Sequence, residues 1–421
     1  MQYEKTVLDN GLRIVTSQMP YANSVSAAFF LNAGSRHETK EISGISHFIE
    51  HMLFNGTKKR PTAKDISEAV EGVGGLLNAE TGKEITVYWA KVAREYWTVA
   101  ADVLTDFLLH SQFDPAEIEK ERKVIIEELN MLADTPQDWV HVLLDETLWG
   151  DQPLGRDIAG TKESVSGITR VQMIDYMAER YVPSATVLAV AGPFSHAEVL
   201  QVIEPLVAEW RAAPVPPTVP TSLPPKQTRI RLQQRKTEQA HVCIGYPGLS
   251  YVDPDRYALD LLNVVLGEGM SSRLFLEIRE KLGLAYDVHS YVNHYGDAGA
   301  AVVYAGVDPK RIDRTIDASL AELEKTKDGV PEQELTKAKE FWKGRVVLRL
   351  EDTRAVASWL GGQELLLNHI LTLDDVVKII DAITDADIRR VAREVFVRDH
   401  VNLAVVGPFA KEERFLKLLR A

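Results

Sequence analysis

The chain has 421 residues, 45% of them apolar, a formal net charge of −13 and a single cysteine. Such a composition supports a sizeable core, and the sequence lacks the run of about 18 apolar residues that a membrane-spanning helix needs. The acidic balance argues against nucleic acid as a partner and mildly favours basic substrates, while the lone Cys243 excludes an intrachain disulfide.

Residues 1–5 have neither the charged-then-apolar pattern of a secretory signal nor the Arg-rich bias of a transit peptide. A cytoplasmic location is therefore expected, and a lone thiol that reads as a small core residue fits a reducing compartment. Residues 6–16 read as a β-hairpin turning at Asn10-Gly11. Residues 24–32 and 84–92, rich in β-branched and aromatic side chains, read as strands.

Between those strands lies His47-Phe48-Ile49-Glu50-His51. On an α-helix His47 and His51 stand about 40° apart, and Glu50 falls roughly 60° to the other side of His47. All three thus share one face. Two imidazoles one turn apart supply two of the three protein ligands of a catalytic zinc, and the neighbouring carboxylate suits a general base.

Helical periodicity then marks 94–111, 115–133, 170–180 and 196–209. In the first of these, Trp97, Ala101, Leu104 and Leu108 recur at helical spacing and read as core. The second is rich in glutamate. Glu121 and Glu128, seven apart, stack on one face with a drift of about 20°. One such carboxylate could complete a His₂Glu site, and another could hold a ligand imidazole by its free ring N–H. Spacing alone does not choose among Glu117, Glu119, Glu121, Glu127 and Glu128.

Residues 212–225 carry six prolines in fourteen positions, the mark of a semi-rigid extended connector. Beyond it, 256–267, 271–282, 309–326, 331–350 and 384–396 show helical periodicity. The chain also repeats itself. Residues 181–194 (YVPSATVLAVAGPF) align with 396–409 (FVRDHVNLAVVGPF) at an offset of 215, and the same offset pairs Ile168-Thr169 with Ile383-Thr384 and Ala90 with Ala305. An internal duplication follows, with a zinc-binding domain over 1–211, a linker over 212–227 and a homologous domain over 228–421. Strand pairs preceding helix pairs suggest the α+β class, each domain a mainly antiparallel sheet with helices on one face.

Residues 44–57 (GISHFIEHMLFNGT) closely resemble the active-site segment of the pitrilysin-like, inverted-motif zinc peptidases, in the branch of the mitochondrial processing peptidases. In that family the third ligand is a Glu following the second His after 76 residues, which is Glu128 here. Residues 121–128 (ERKVIIEE) match the accompanying pattern and give Glu121 the role of supporting carboxylate. Residues 271–286 resemble the family's helix and turn whose Arg and Tyr, here Arg279 and Tyr286, reach a bound peptide. Residues 75–81 resemble its active-site edge strand, implying that Asn78 and Ala79 contact substrate. The resemblance implies one Zn²⁺ per chain and a metalloendopeptidase with Glu50 as general base, cutting short or unfolded polypeptides. It also implies a clamshell half that closes a chamber, as a homodimer or with a different partner subunit. Of two acidic positions that select arginine in the processing peptidases, this chain keeps Asp138 and has Val142 at the other, so strict arginine specificity is not expected. The competing reading is a catalytically silent or partner-dependent subunit of a peptidase or respiratory complex.

Overall fold

The computed structural model describes residues 2–223 and 227–420; Pro224, Pro225 and Lys226 of the proline-rich stretch lie outside the described residues. The first half contributes strands β1 (Glu4–Val7), β2 (Arg13–Gln18), β3 (Ser24–Leu31), β4 (Leu76–Thr81), β5 (Thr86–Ala93) and β6 (Thr186–Gly192). The second contributes β7 (Arg229–Gln234), β8 (Ala240–Pro247), β9 (Ala285–His294), β10 (Gly299–Val307) and β11 (Asn402–Gly407). They form two sheets, ordered β1-β2-β6-β3-β5-β4 and β7-β11-β8-β10-β9.

The duplication is written into this topology. Apart from β1, each strand of the first sheet has its counterpart in the second at the same place in the order. β2 pairs parallel with β6 as β7 does with β11, and the remaining neighbours are antiparallel in both sheets. Even the register carries over: Ala27 faces Ala90, and 215 residues on, Val242 faces Ala305. Alternation of side chains across a pleated strand makes such a register hard to slip, because a one-residue shift would turn the core face to solvent.

The compact units do not follow the linear halves. The first comprises 1–129, 157–219 and 347–374; the second comprises 130–156, 220–346 and 375–421. In the first unit, one face of the sheet carries the large core with the helices of the first half, including Phe48, Tyr88, Phe107 and Met173. The other face packs against the helix Thr353–Leu367 through Val356, Ala357 and Leu360. In the second unit the helix Pro136–Trp149 covers Cys243, Val302, Tyr304 and Ala404. Pro136–Trp149 shifted by 215 falls on 351–364, so the two exchanged helices are duplication counterparts. Sheets with helices segregated on one face thus gain a second cover from the other half of the sequence.

Neither exchanged helix is marked by periodicity in the sequence. Thr353–Leu367 contains Gly361-Gly362, poor helix formers, yet a Cβ at Gly361 would lie 2.2 Å from the Phe30 ring, so close packing requires the glycine. The expected hairpin forms, with Gly11 at φ 92° and the Asn10 amide donating to the carbonyls of Val207 and Trp210. Residues 271–282 are less regular than expected: Phe275–Lys281 winds as a π-helix, a form that often marks functional sites. The connector is tied along each unit separately. Arg36 and Arg180 donate to the carbonyls of Val219 and Pro216 in the first, and Thr221 bonds Asp297 in the second.

Candidate metal centre

The helix Ile45–Leu53 buries Ile45, Phe48, Ile49, Met52 and Leu53 in the core, each side chain contributing about 1.5–3 kcal/mol. That burial fixes the rotation of the helix and leaves His47, Glu50 and His51 on the opposite face. The helix Pro115–Asp134 likewise buries Ile118, Ile125 and Leu129, which turns Glu121 and Glu128 towards the histidines. The structure chooses among the five glutamates. Glu117 and Glu119 pair with Lys120 and Arg122 on the surface, and Glu127 is exposed.

His47 Nε2 and His51 Nε2 are 3.3 Å apart, and Glu128 Oε2 lies 3.8 Å from the first and 3.5 Å from the second. A tetrahedral zinc with bonds of about 2.0–2.1 Å holds its donors roughly 3.3 Å apart, so the triangle has the size of one face of such a site. Among the described residues this is the group of three donors that converges in this way. Among the described residues no fourth donor joins the group, and the Glu128 side chain is 43% exposed, which leaves access for water and substrate.

The charges suit the arrangement. Burial, and then the neighbouring His51, push the His47 pKa down to about 4, so that its lone pair is available at neutral pH. His51 is driven upward: burial opposes the charge but is outweighed by the Glu121 hydrogen bond and the Glu128 charge. Glu121 Oε2 sits 3.1 Å from His51 Nδ1, and this bond is the main cause holding its own pKa low. Nδ1 carries the hydrogen there, leaving Nε2 as a donor atom for a metal. Glu50 is raised by burial, against the opposing effects of a bond from Thr81 and the charge of His51. A carboxylate with raised basicity beside three donors can accept a proton from water.

Three contacts escape the sequence reading. Thr81 Oγ1 donates to Glu50 Oε2. Asn55, one turn beyond His51, donates to the His51 carbonyl at 2.9 Å. Glu38 receives the backbone N–H groups of Gly44 and Ser46. Only Asn55 had a local signal, its i+4 position from a ligand.

Asn78 and Ala79 lie on β4, the terminal strand of the first sheet, whose outer edge has no partner strand among the described residues. Arg279 and Tyr286 lie in the second unit, as does Asp138. The Arg279 guanidinium sits between the Phe275 and Tyr286 rings, 4.8 and 4.4 Å from their centroids, and donates to the Tyr286 carbonyl at 2.9 Å. Tyr286 itself is 76% exposed.

Known proteins share this chain's sequence and fold. The model described as Insulinase (Peptidase family M16) matches residues 13–162, which contain all three donors and Glu50, and the model described as Peptidase M16 inactive domain matches 167–341. The chain belongs to peptidase family M16. A relative in Bacillus subtilis, named uncharacterized zinc protease YmxG, is 39% identical over 95% of this chain and 97% of its own length. The crystal structure of a protease from Helicobacter pylori superposes with a TM-score of 0.90 at 24% identity, covering 97% of this chain and 99% of that one. A chain of complex III2 from Candida albicans has a TM-score of 0.84 at 20% identity, covering 99% of each. These last two likenesses establish the family's two-sheet fold, and fold alone does not assign chemistry.

Proposed function

We propose that this chain is a zinc endopeptidase, with one Zn²⁺ held by His47, His51 and Glu128. The observation that carries the reading is the donor triangle with a half-buried glutamate, Glu50, on the same helix face. Zinc bound there supplies Lewis acidity to the scissile carbonyl and acidifies the attacking water. Glu50 removes the proton of that water and returns it to the leaving amine. Glu121 fixes the His51 ring. Asn78 and Ala79 offer backbone groups of an open strand edge to an extended peptide, which binds with little demand on its sequence. Arg279 and Tyr286 are assigned to substrate, through a cation and a phenol able to bond a carbonyl.

Substrates are short or unfolded polypeptides, since only an extended segment can add to a strand edge. A homodimer closing a chamber, membership of the processing-peptidase-like branch and a cytoplasmic location complete the proposal. A catalytically silent subunit would have no use for Glu50 beside the three donors, whereas a partner-dependent peptidase subunit would keep it.

The test is cleavage of an unstructured peptide library by zinc-loaded wild type and Glu50→Gln, read by mass spectrometry. Cutting by wild type alone, with both proteins holding zinc, is the expected result. Failure of zinc-loaded wild type to cut overturns the assignment for this chain by itself.

A further inference from the structure

The two ligand histidines are supported unequally. Glu121 holds the His51 ring at Nδ1, whereas His47 Nδ1 is buried without a hydrogen-bond partner. His47 therefore depends on the backbone beneath it. That backbone is the first turn of the helix Ile45–Leu53, where N–H groups have no partner within the helix. The usual remedy, a Ser, Thr or Asp side chain at the preceding position, is barred here. Gly44 occupies that position at φ 93°, and a Cβ on it would lie 2.4 Å from the Ala159 carbonyl oxygen.

The cap comes instead from Glu38. Its two carboxylate oxygens divide the work: Oε2 accepts from Gly44 N at 2.7 Å and Oε1 from Ser46 N at 2.9 Å. The residue is 3% exposed, so these bonds are shielded from competing water. A negative charge at this end also complements the helix dipole. The same turn is braced from outside, by Ser46 Oγ against Tyr176 OH at 2.8 Å and by Ser164 Oγ donating to the Ser43 carbonyl at 2.7 Å.

We infer that Glu38 is a positioning residue of the metal centre: it clamps the turn that carries His47 and thereby sets metal affinity. The inference rests on the zinc-site reading above. Loss of the clamp acts on His47 selectively, since His51 lies a turn deeper and keeps Glu121.

The test uses the full chain and Glu38→Gln, in which an amide group replaces one acceptor oxygen and faces a backbone N–H. Zinc affinity is measured by competition with a chromogenic chelator, and ligand geometry by the visible spectrum of the cobalt-substituted protein. The expected result is zinc binding weakened about 10–100-fold, as for loss of other groups that orient metal ligands, with an altered cobalt band in a folded protein. Glu38→Asp, which cannot span both N–H groups, provides the same readout if the first variant does not fold. Amide exchange of wild type gives an independent check, with Gly44 and Ser46 expected to be protected like the helix interior. A folded variant with wild-type affinity and spectrum overturns the inference, as does rapid exchange at both amides. If wild type itself binds neither zinc nor cobalt, the zinc-site reading fails first.

Discussion

Thr81, the last residue of β4, donates its hydroxyl hydrogen to Oε2 of Glu50 on the helix Ile45–Leu53. The open strand edge and the carboxylate beside the metal donors are thus linked by one bond. Because the bond engages one oxygen, it limits rotation of the carboxylate and leaves the other oxygen for the proposed role as base.

Thr81→Val, which preserves shape and removes the donor, is expected to lower kcat about 10–100-fold, the range for a lost bond to a charged group. KM and zinc content should stay near wild type, and Thr81→Ser should retain most activity. Steady-state kinetics with one fluorogenic peptide decides it. A change confined to KM would mean that Thr81 serves substrate binding and not Glu50.

Glu121→Gln should weaken zinc binding about 10–100-fold, since it loosens the His51 ring without removing a ligand. Glu128→Gln removes a donor and should cost more. Equilibrium dialysis against a chelator ranks the two, and the opposite order would mean that the roles of these glutamates are exchanged.

Glu364 offers a stability test within the first unit. It is 1% exposed and receives Lys5 at 2.6 Å and Arg13 at 3.4 Å, tying the exchanged helix to the first hairpin. Glu364→Ala leaves the Arg13 guanidinium without its carboxylate partner, and burial already disfavours the charge of that group. A loss of about 3 kcal/mol is expected from the urea midpoint. A shift near zero would indicate that solvent reaches the pair freely.

His294 should make the second unit pH-sensitive. Burial disfavours its charge, but Nε2 faces Asp260 at 3.1 Å and Nδ1 faces the Leu249 carbonyl at 2.6 Å, so both ring nitrogens meet acceptors. These outweigh burial and the repulsion of Arg256, and the folded pKa is raised above 6.5. A raised pKa means stability that is complete below the unfolded pKa and lost as pH rises through the folded one. Urea midpoints should therefore fall between pH 6 and pH 8.5 in wild type, and fall less in His294→Gln. Equal slopes would remove His294 as the cause.

What could be read from the sequence was local. The face shared by His47, Glu50 and His51 follows from helical pitch, and the strands 24–32 and 84–92 from their β-branched content; both depend on neighbours within a few residues. The 215-residue repeat was also visible, because the two halves retain enough identical residues in one β-strand to align.

Several features needed the folded chain. Spacing left five glutamates open, and only the burial of Ile118, Ile125 and Leu129 turns Glu121 and Glu128 to the site. His141, His241 and His289, scattered along the sequence, gather round Tyr304 with ring centroids 5.2, 6.1 and 5.0 Å from its own. Strand register gathers two of them, His289 opposite Tyr304 and His241 opposite Gly306, and the helix Pro136–Trp149 brings His141.

The sequence by itself determined the helix with His47, Glu50 and His51 on one face, the duplication and the strand-rich segments, because periodicity and repetition are short-range or self-referential properties of a chain. The tertiary structure alone decided which helix covers which sheet and that Glu38 and Thr81 touch the helix Ile45–Leu53; it also brought to the histidines Glu121 and Glu128, which helical spacing had left among five candidates and only the family resemblance had singled out. Those are contacts between segments whose meeting depends on how buried faces dock, and docking leaves no periodic trace in either partner.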